Sequence, residues 1–156
     1  MITDNTPKLR EFQPINFLYF RAETKVTELI NFLPVAKDLF KEAVRLNLHV
    51  SGPVHWHSTG FTGDESQIFT LEVALPVDQI PADYDGSFHF KRTDKFKCVT
   101  LMHEGAWTEI PNSYGKLMQF ISEKKLHPVA VNRELYINAY FANPAANITE
   151  IQMGIR

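Results

Sequence analysis

The segment VNRELYINAYFANP, residues 131–144, combines the pattern of a β-strand with an acidic side chain. Strand-forming residues fill most of it, and the Asn-Pro pair near its end is typical of a turn. Because side chains alternate across a strand, Leu135 and Ile137 face one way, whereas Glu134 and Tyr136 face the other. We expect the aliphatic side to pack on a helix, which leaves a carboxylate beside a phenol on the opposite side.

Glu134 has two interpretations. A charged strand residue is most often solvated and paired with a nearby lysine or arginine. The rings elsewhere in the chain favour a pocket instead, since Trp56 falls at the position of Tyr136 when the two halves are superposed, and Trp107 follows a strand-to-helix turn. A carboxylate among such rings favours a flat, positively charged, partly apolar ligand, because ring faces attract cations and the acid neutralises them. Burial there would raise the proton affinity of Glu134 until a cation binds.

The order of predicted elements repeats along the chain. Each half has the pattern β-α-β-β, and one extra short strand precedes the second half. We therefore predict an α+β fold in a single domain, residues 1–156, with pseudo-repeats at 15–77 and 88–156 and a cleft where the halves meet. The predicted strands are 15–23, 49–57, 67–77, 87–92, 95–105, 128–141 and 148–155, and the predicted helices are 34–47 and 108–125.

Two local details belong to this prediction. Residues 1–13 are polar and are expected to form a loose lead-in to the first strand. Thr108 is expected to cap the second helix, whose apolar positions recur with helical spacing.

Composition excludes several classes of function. Sixteen Lys+Arg against eighteen Asp+Glu give a net charge of −2, which is not the basic footprint of a nucleic-acid-binding protein. The apolar runs are too short to span a bilayer, so no membrane association is expected. The start lacks a signal-peptide pattern and the single cysteine cannot form an internal disulfide, so we expect a cytoplasmic protein.

Several motifs together resemble the GyrI-like small-molecule-binding domains, which are similar to the effector-binding domains of multidrug-responsive transcription regulators. The motifs are HEGAWTEIPNSYGKLMQFISEKKL (103–126), RELYINAYFANP (133–144), TEIQMGI (149–155) and LEVALPV (71–77). The resemblance covers the chain after the first dozen residues. It implies a duplicated β-α-β-β fold with an antiparallel sheet, two long helices and a ligand cleft on a pseudo-twofold axis.

The resemblance also implies roles for individual residues. Glu134 corresponds to the acidic residue that contacts cationic ligands in drug-sensing members, and Tyr136 lies in the same cleft. Trp107 follows the motif glycine, at a position that is often aromatic and close to the cleft. Trp56 departs from the tyrosine that many members have in the first-half strand. Tyr19, in the first strand, completes the set of candidate ligand-binding residues.

The predicted function is a stand-alone effector-binding protein for aromatic, cationic compounds, since no helix-turn-helix precedes the repeat. No cofactor is expected. An alternative is a hydrolase of electrophilic aromatic toxins, in which Glu134 is the general base and Tyr136 donates a hydrogen bond to the leaving oxygen. A third reading is a modulator of a partner protein such as a topoisomerase. Binding is favoured over catalysis, because the same cleft serves many non-catalytic members.

The histidines, the cysteine and a basic segment invite other interpretations. His55 and His57 share one strand face, the spacing of metal sites, but a third ligand is not evident, so no metal is predicted. His103 is expected to bond a backbone carbonyl or cap a helix rather than bind haem. Cys98 is expected to be a core residue. The basic segment 89–97 is interpreted as a solvated edge strand.

Overall fold

The computed structural model describes residues 5–156. Within that range the chain forms one antiparallel sheet of eight strands and two α-helices, which confirms the α+β prediction. The strands are β1 (Lys8–Phe12), β2 (Asn16–Thr24), β3 (His55–Thr59), β4 (Phe69–Val77), β5 (His89–Arg92), β6 (Phe96–Glu104), β7 (Pro128–Asn138) and β8 (Ile148–Ile155). The helices are α1 (Val35–Arg45) and α2 (Ile110–Glu123).

The strand order repeats outward from the centre of the sheet. The order is β1-β6-β8-β7-β3-β4-β2-β5, so β3-β4-β2 on one side mirrors β7-β8-β6 on the other. Each half is a β-α-β-β unit, and the halves meet where β3 pairs with β7. This seam is the place at which side chains of both halves lie next to each other.

Both helices cover the same face of the sheet, which we call the helix face. Leu39 of α1 packs in one apolar cluster with aliphatic residues of β4, and Leu117 of α2 packs in a second cluster with residues of β6 and β8. The two clusters share a face because Trp56, packed on the first, is the register partner of Glu134, which bonds Tyr114 of α2. Burying such aliphatic side chains is worth roughly 1.5–3 kcal/mol each.

The expectation that the aliphatic side of β7 packs on a helix is wrong. Glu134 and Tyr136 are on the helix face, and Leu135 is on the opposite face with His55, its register partner. The reason is that the aliphatic residues under α2 come from β6 and β8, including Val99 and Ile151, and not from β7. The opposite face carries His55, His57 and Arg133 and, within residues 5–156, neither α-helix; it is called the open face below.

The structure corrects three local predictions. Lys8–Phe12, placed in a loose lead-in, forms β1 and pairs with β6; residues 1–4 lie outside the described part of the chain. The strand predicted at 49–57 begins only at His55, because the Gly-Pro pair before it interrupts the backbone pairing. Thr108 is not a cap: it lies in a 3₁₀ turn, and α2 follows Glu109 with no side-chain cap.

The helices are amphipathic elements of a globular sheet protein. In the described residues, none is long and apolar enough to cross a lipid bilayer.

Gly154 in β8 allows neighbouring groups to come unusually close. A Cβ placed there would lie 2.7 Å from the carbonyl oxygen of Val131 and 3.0 Å from the ring of Phe96. The backbone oxygen cannot rotate away as a side chain can. We therefore expect Gly154→Ala to lower the free energy of unfolding by about 1–3 kcal/mol, the usual cost of overpacking.

Gly115, an exposed position in the middle of α2, provides the matched control. A Cβ there meets nothing within 4 Å, so Gly115→Ala should raise the free energy of unfolding by up to about 1 kcal/mol through helix propensity. Urea denaturation of both variants measures the difference. Equal effects in the same direction would show that the space around Gly154 is not limiting.

Candidate functional site

The carboxylate of Glu134 is held by two phenols on the helix face of the seam. The hydroxyl of Tyr114, on α2, donates to Oε2 at 2.7 Å, and the hydroxyl of Tyr136, two residues along β7, donates to Oε1 at 2.8 Å. Each oxygen thus has one donor from a different element. Hydrogen bonds to an ionised acceptor are stronger than neutral ones, so this arrangement fixes the direction of the carboxylate.

A chain of aromatic rings surrounds this carboxylate. The ring of Trp56, from β3, meets the ring of Tyr136 edge-on at 5.9 Å between centroids. The ring of Trp107 also meets the ring of Tyr136, at 5.5 Å between centroids, and Phe141 in turn contacts Trp107 at 5.5 Å. The two halves of the chain therefore contribute rings to one site, with the acid of β7 among them.

Burial at the seam affects the protonation of Glu134 and of the two phenols. Burial raises the pKa of Glu134 above its usual value, and the hydrogen bonds from Tyr114 and Tyr136 oppose that rise, as does the charge of His103. Burial also raises the pKa of both phenols well above 10, and the neighbouring carboxylate adds to the effect. Both phenols are accordingly neutral donors at physiological pH. Glu134 is the group whose charge can respond to a ligand.

A turn between β6 and α2 positions Trp107. His103 Nε2 lies 2.9 Å from the carbonyl oxygen of Ala106, which can only accept, so this nitrogen carries the proton. His103 Nδ1 lies 2.8 Å from the Ser113 hydroxyl, which ties the turn to α2. Gly105 has φ 131°, a region that favours glycine. The expected structural role of His103, bonding to a backbone carbonyl, is confirmed.

The loop that carries Phe141 is fixed at its base by two asparagines. Asn138 Oδ1 accepts from the backbone N–H of Ile148 at 2.5 Å, and the buried Asn147 accepts from the N–H of Tyr140 at 2.6 Å. The tip of the loop is exposed, with Phe141 72% accessible. A fixed base and an exposed tip place an accessible aromatic ring next to Trp107.

Two buried polar atoms beside the site lack a hydrogen-bond partner in the described structure. They are Nε1 of Trp107 and Oγ1 of Thr149. Thr149 is the register partner of Tyr136, which places it in the strand next to the site. Unpaired buried polar atoms are costly, so a ligand that supplied an acceptor to Trp107 would recover part of that cost.

The structure brings together four of the five residues proposed from the sequence: Glu134, Tyr136, Trp107 and Trp56. Tyr19 lies elsewhere, on the open face, where it contacts His89 and the ammonium of Lys91. Tyr19 also lines a pocket of about 470 Å³ that none of the other four residues lines.

Sequence reasoning missed two residues of the site. Tyr114 was assigned only to the apolar stripe of α2, although a tyrosine on such a stripe needs a hydrogen-bond partner when buried. Phe141 was assigned to a strand end, and nothing in its local sequence pairs it with Trp107. Both contacts depend on how α2 and the loop after β7 lie over the seam.

The remaining candidates are also accounted for. Cys98 is fully buried, as predicted, and burial raises the pKa of its thiol to about 12. No group of three metal-ligating side chains occurs in residues 5–156. Only the first part of the basic segment, residues 89–92, forms an edge strand, β5; the segment ends in β6, which β1 covers. Lys91 is not solvated: it is half-buried and paired with Glu72 at 2.6 Å.

The fold is an antiparallel sheet of two β-α-β-β halves, and aromatic side chains from both halves lie together at the seam. This arrangement is typical of a small-molecule-binding domain. The chain matches the GyrI-like small molecule binding domain over residues 5–156 and belongs to that family. The resemblance seen in the sequence is confirmed. No curated protein sequence matches the chain.

Solved structures share the fold. EcmrR in complex with DNA has a TM-score of 0.79 at 20% identity, covering 99% of this chain and 59% of that chain. The present chain thus spans less than two thirds of that protein. The EcmrR C-terminal domain alone has a TM-score of 0.78 at 20% identity, covering 97% of this chain and 98% of that one.

Two further solved structures share the fold at lower TM-scores. SAV2435 bound to tetraphenylphosphonium has a TM-score of 0.64 at 13% identity, covering 96% of this chain and 93% of that one. A hydrolase encoded by lin2189 from Listeria innocua has a TM-score of 0.66 at 15% identity, covering 97% and 92%. At these identities the similarity establishes the fold alone.

The raised pKa of Glu134 gives the stability a specific pH dependence. The folded chain keeps a proton that the unfolded chain releases near pH 4.5, so ionisation of Glu134 costs stability as pH rises above that value. We expect the free energy of unfolding of the native chain to fall relative to that of Glu134→Gln as pH increases from about 4 towards neutrality. Urea denaturation across this pH range measures the difference.

Glu123→Gln makes the same charge change at an exposed position of α2 and is the control. Subtracting its pH profile removes the general effect of losing one carboxylate. A Glu134→Gln profile that runs parallel to this control would contradict a buried, destabilised carboxylate at the seam.

Proposed function

We propose that this protein binds aromatic cations at the seam, with Glu134 neutralising the ligand charge and the surrounding rings contacting its flat faces. The observation that carries the proposal is a carboxylate held by two phenols among three further aromatic rings. Within the described chain, no lysine or arginine forms an ion pair with Glu134. A positive charge from outside the chain would complete the site.

Electrostatics favours a cation over a neutral ligand here. A partly desolvated carboxylate gains more from a counter-ion than an exposed one, because the local dielectric constant is lower. Ring faces add attraction for the same charge, about 0.5–2 kcal/mol for each well-placed ring. A ligand that reached Glu134 would exchange the ring–ring contacts of Trp107 and Trp56 for ring–ligand contacts of similar kind.

The ligand of one structural relative agrees with this chemistry. Tetraphenylphosphonium, found with SAV2435, carries one positive charge surrounded by four phenyl rings. Its combination of delocalised charge and apolar surface is the combination that the seam of this protein would complement. It is therefore the reference compound for testing the proposal.

The geometry favours binding over hydrolysis. In a hydrolase, Tyr136 would need its proton for the leaving oxygen, but that proton is already donated to Glu134. Tyr114 is engaged in the same way. The two phenols thus hold the carboxylate as an acceptor with fixed direction, which suits recognition of a positive charge.

Charge recognition predicts a selective loss of affinity in Glu134→Gln. We expect tetraphenylphosphonium to bind the variant at least about tenfold more weakly than it binds the native chain, which corresponds to about 1.4 kcal/mol. Triphenylphosphine oxide, a neutral aromatic of related shape, should change by less than about threefold. Isothermal titration calorimetry gives both dissociation constants.

Glu123→Gln serves again as the charge-matched control and should bind both compounds as the native chain does. Equal weakening of the cation and the neutral compound in Glu134→Gln would mean that the acid shapes the site without pairing with ligand charge. Unchanged binding of both compounds would place the ligand elsewhere.

The raised pKa of Glu134 also predicts a pH dependence of affinity. The cation binds the ionised form, so affinity should rise with pH through the raised pKa and then level off. Below that pKa it should fall by about tenfold per pH unit. Titrations with tetraphenylphosphonium between about pH 4.5 and pH 8 test this, and a flat profile in the native chain would contradict it.

A further inference from the structure

A directed hydrogen-bond chain crosses the open face of the sheet. The ammonium of Lys91 donates to Glu72 at 2.6 Å and lies 3.3 Å from Nδ1 of His57. An ammonium group has no acceptor, so Nδ1 of His57 accepts and its proton is on Nε2. His57 Nε2 lies 3.0 Å from Nδ1 of His55, which therefore accepts in turn. The proton of His55 is left on Nε2, at the far end of the chain.

Both imidazoles are neutral, so this direction is fixed. Burial lowers the pKa of His55 to about 3, and the charges of Arg133 and Lys91 add to the effect. Burial also lowers the pKa of His57 well below its usual value. Neither imidazole therefore supplies a negative charge to the neighbouring Arg133.

Arg133 lies beside this chain and is largely buried. It is the register partner of His57, is 5% exposed, and stacks its guanidinium 3.9 Å from the centroid of the Phe96 ring. Within residues 5–156 it makes no side-chain hydrogen bond or ion pair. Burial lowers the pKa of the guanidinium to about 10. A buried charge without a partner is costly, so this position calls for an anion.

The next residue along the same row also lacks a partner. Gln152 on β8 is the register partner of Arg133 and is 1% exposed. Its amide nitrogen donates to Glu150 at 2.5 Å, whereas its carbonyl oxygen has no donor in the described structure. The row therefore offers free donors from Arg133 and one free acceptor from Gln152.

The carboxylates on this face are already engaged elsewhere. Glu72 pairs with Lys91 at 2.6 Å. Glu150 accepts from Gln152 and, at 3.2 Å, from Thr100. Neither bonds Arg133, so the chain itself does not supply the missing anion.

We propose that the open face holds a second binding site, in which Arg133 and its register partner Gln152 bind a small oxyanion that also carries a hydroxyl group, as a phosphate group does. Anionic oxygens accept from the fork of Arg133, and the P–OH donates to the carbonyl oxygen of Gln152. Arginine suits this role because its planar fork binds two oxygens of one group.

This site is separate from the one that binds cations. Arg133 and Glu134 are consecutive residues of β7, so their side chains are on opposite faces of the sheet. Both helices cover the face of Glu134, and the open face has no helix. One strand thus presents a positive group to one side and a negative group to the other.

An NMR titration of the full chain with inorganic phosphate tests the proposal, with ionic strength held constant by sodium chloride. We expect saturable shifts centred on the side-chain signals of Arg133 and Gln152. Arg133→Gln should raise the dissociation constant for phosphate by at least about tenfold. Acetate, which lacks the hydroxyl, should bind several-fold more weakly than phosphate.

Arg21→Gln is the matched control, because Arg21 is in the same cross-strand row but is exposed and close to Glu23. It should leave the phosphate dissociation constant within about twofold. If Arg133→Gln does not fold, Arg133→Lys keeps the charge but not the fork and should still weaken binding several-fold. Unsaturable shifts spread over the surface, or equal effects of the Arg21 and Arg133 variants, would overturn the proposal and leave an adventitious ion only.

Discussion

The pairing of β3 with β7 is the constraint on which the rest of the site depends. It joins the two halves, and its register sets Trp56 directly opposite Glu134. A slip of one residue would move every side chain of one strand to the other face, separating the ring from the acid. The apolar clusters under α1 and α2 hold this register from both sides, since each half buries its own aliphatic residues against its own helix.

Alternation along β7 places buried polar groups on both sides of the sheet. On the helix face, two phenols compensate the carboxylate of Glu134. On the open face, the aromatic ring of Phe96 is the neighbour of Arg133. Such groups reduce stability, which in a domain of this size rests on a small balance of large terms. Buried ionisable groups with shifted pKa values on both faces of one strand are the pattern expected of groups that have a binding role.

The sequence was sufficient for the fold, and it named four residues that the structure brings together at the seam. The exceptions have physical causes. Periodicity identified both helices and the duplicated order of strands, and aromatic residues beside Glu134 indicated the site. The sequence did not predict strand β1, because its five residues are mostly charged and exposed and show no apolar pattern. The partnership of Tyr114 with Glu134 and the separation of Tyr19 could not be read from local sequence, because both depend on which face of the sheet receives the helices.

The first described strand of the chain, β1, lies at the edge of the second half of the sheet. β1 borders the second half through β6, and β5, which follows the first half in the chain, borders that half through β2. During synthesis β1 therefore leaves the ribosome long before its partner exists, whereas the first half can close around β5 as soon as that strand appears. β1 can pair only after the chain has been synthesised through β6. A nascent chain that stalled earlier would therefore leave this charged strand unpaired.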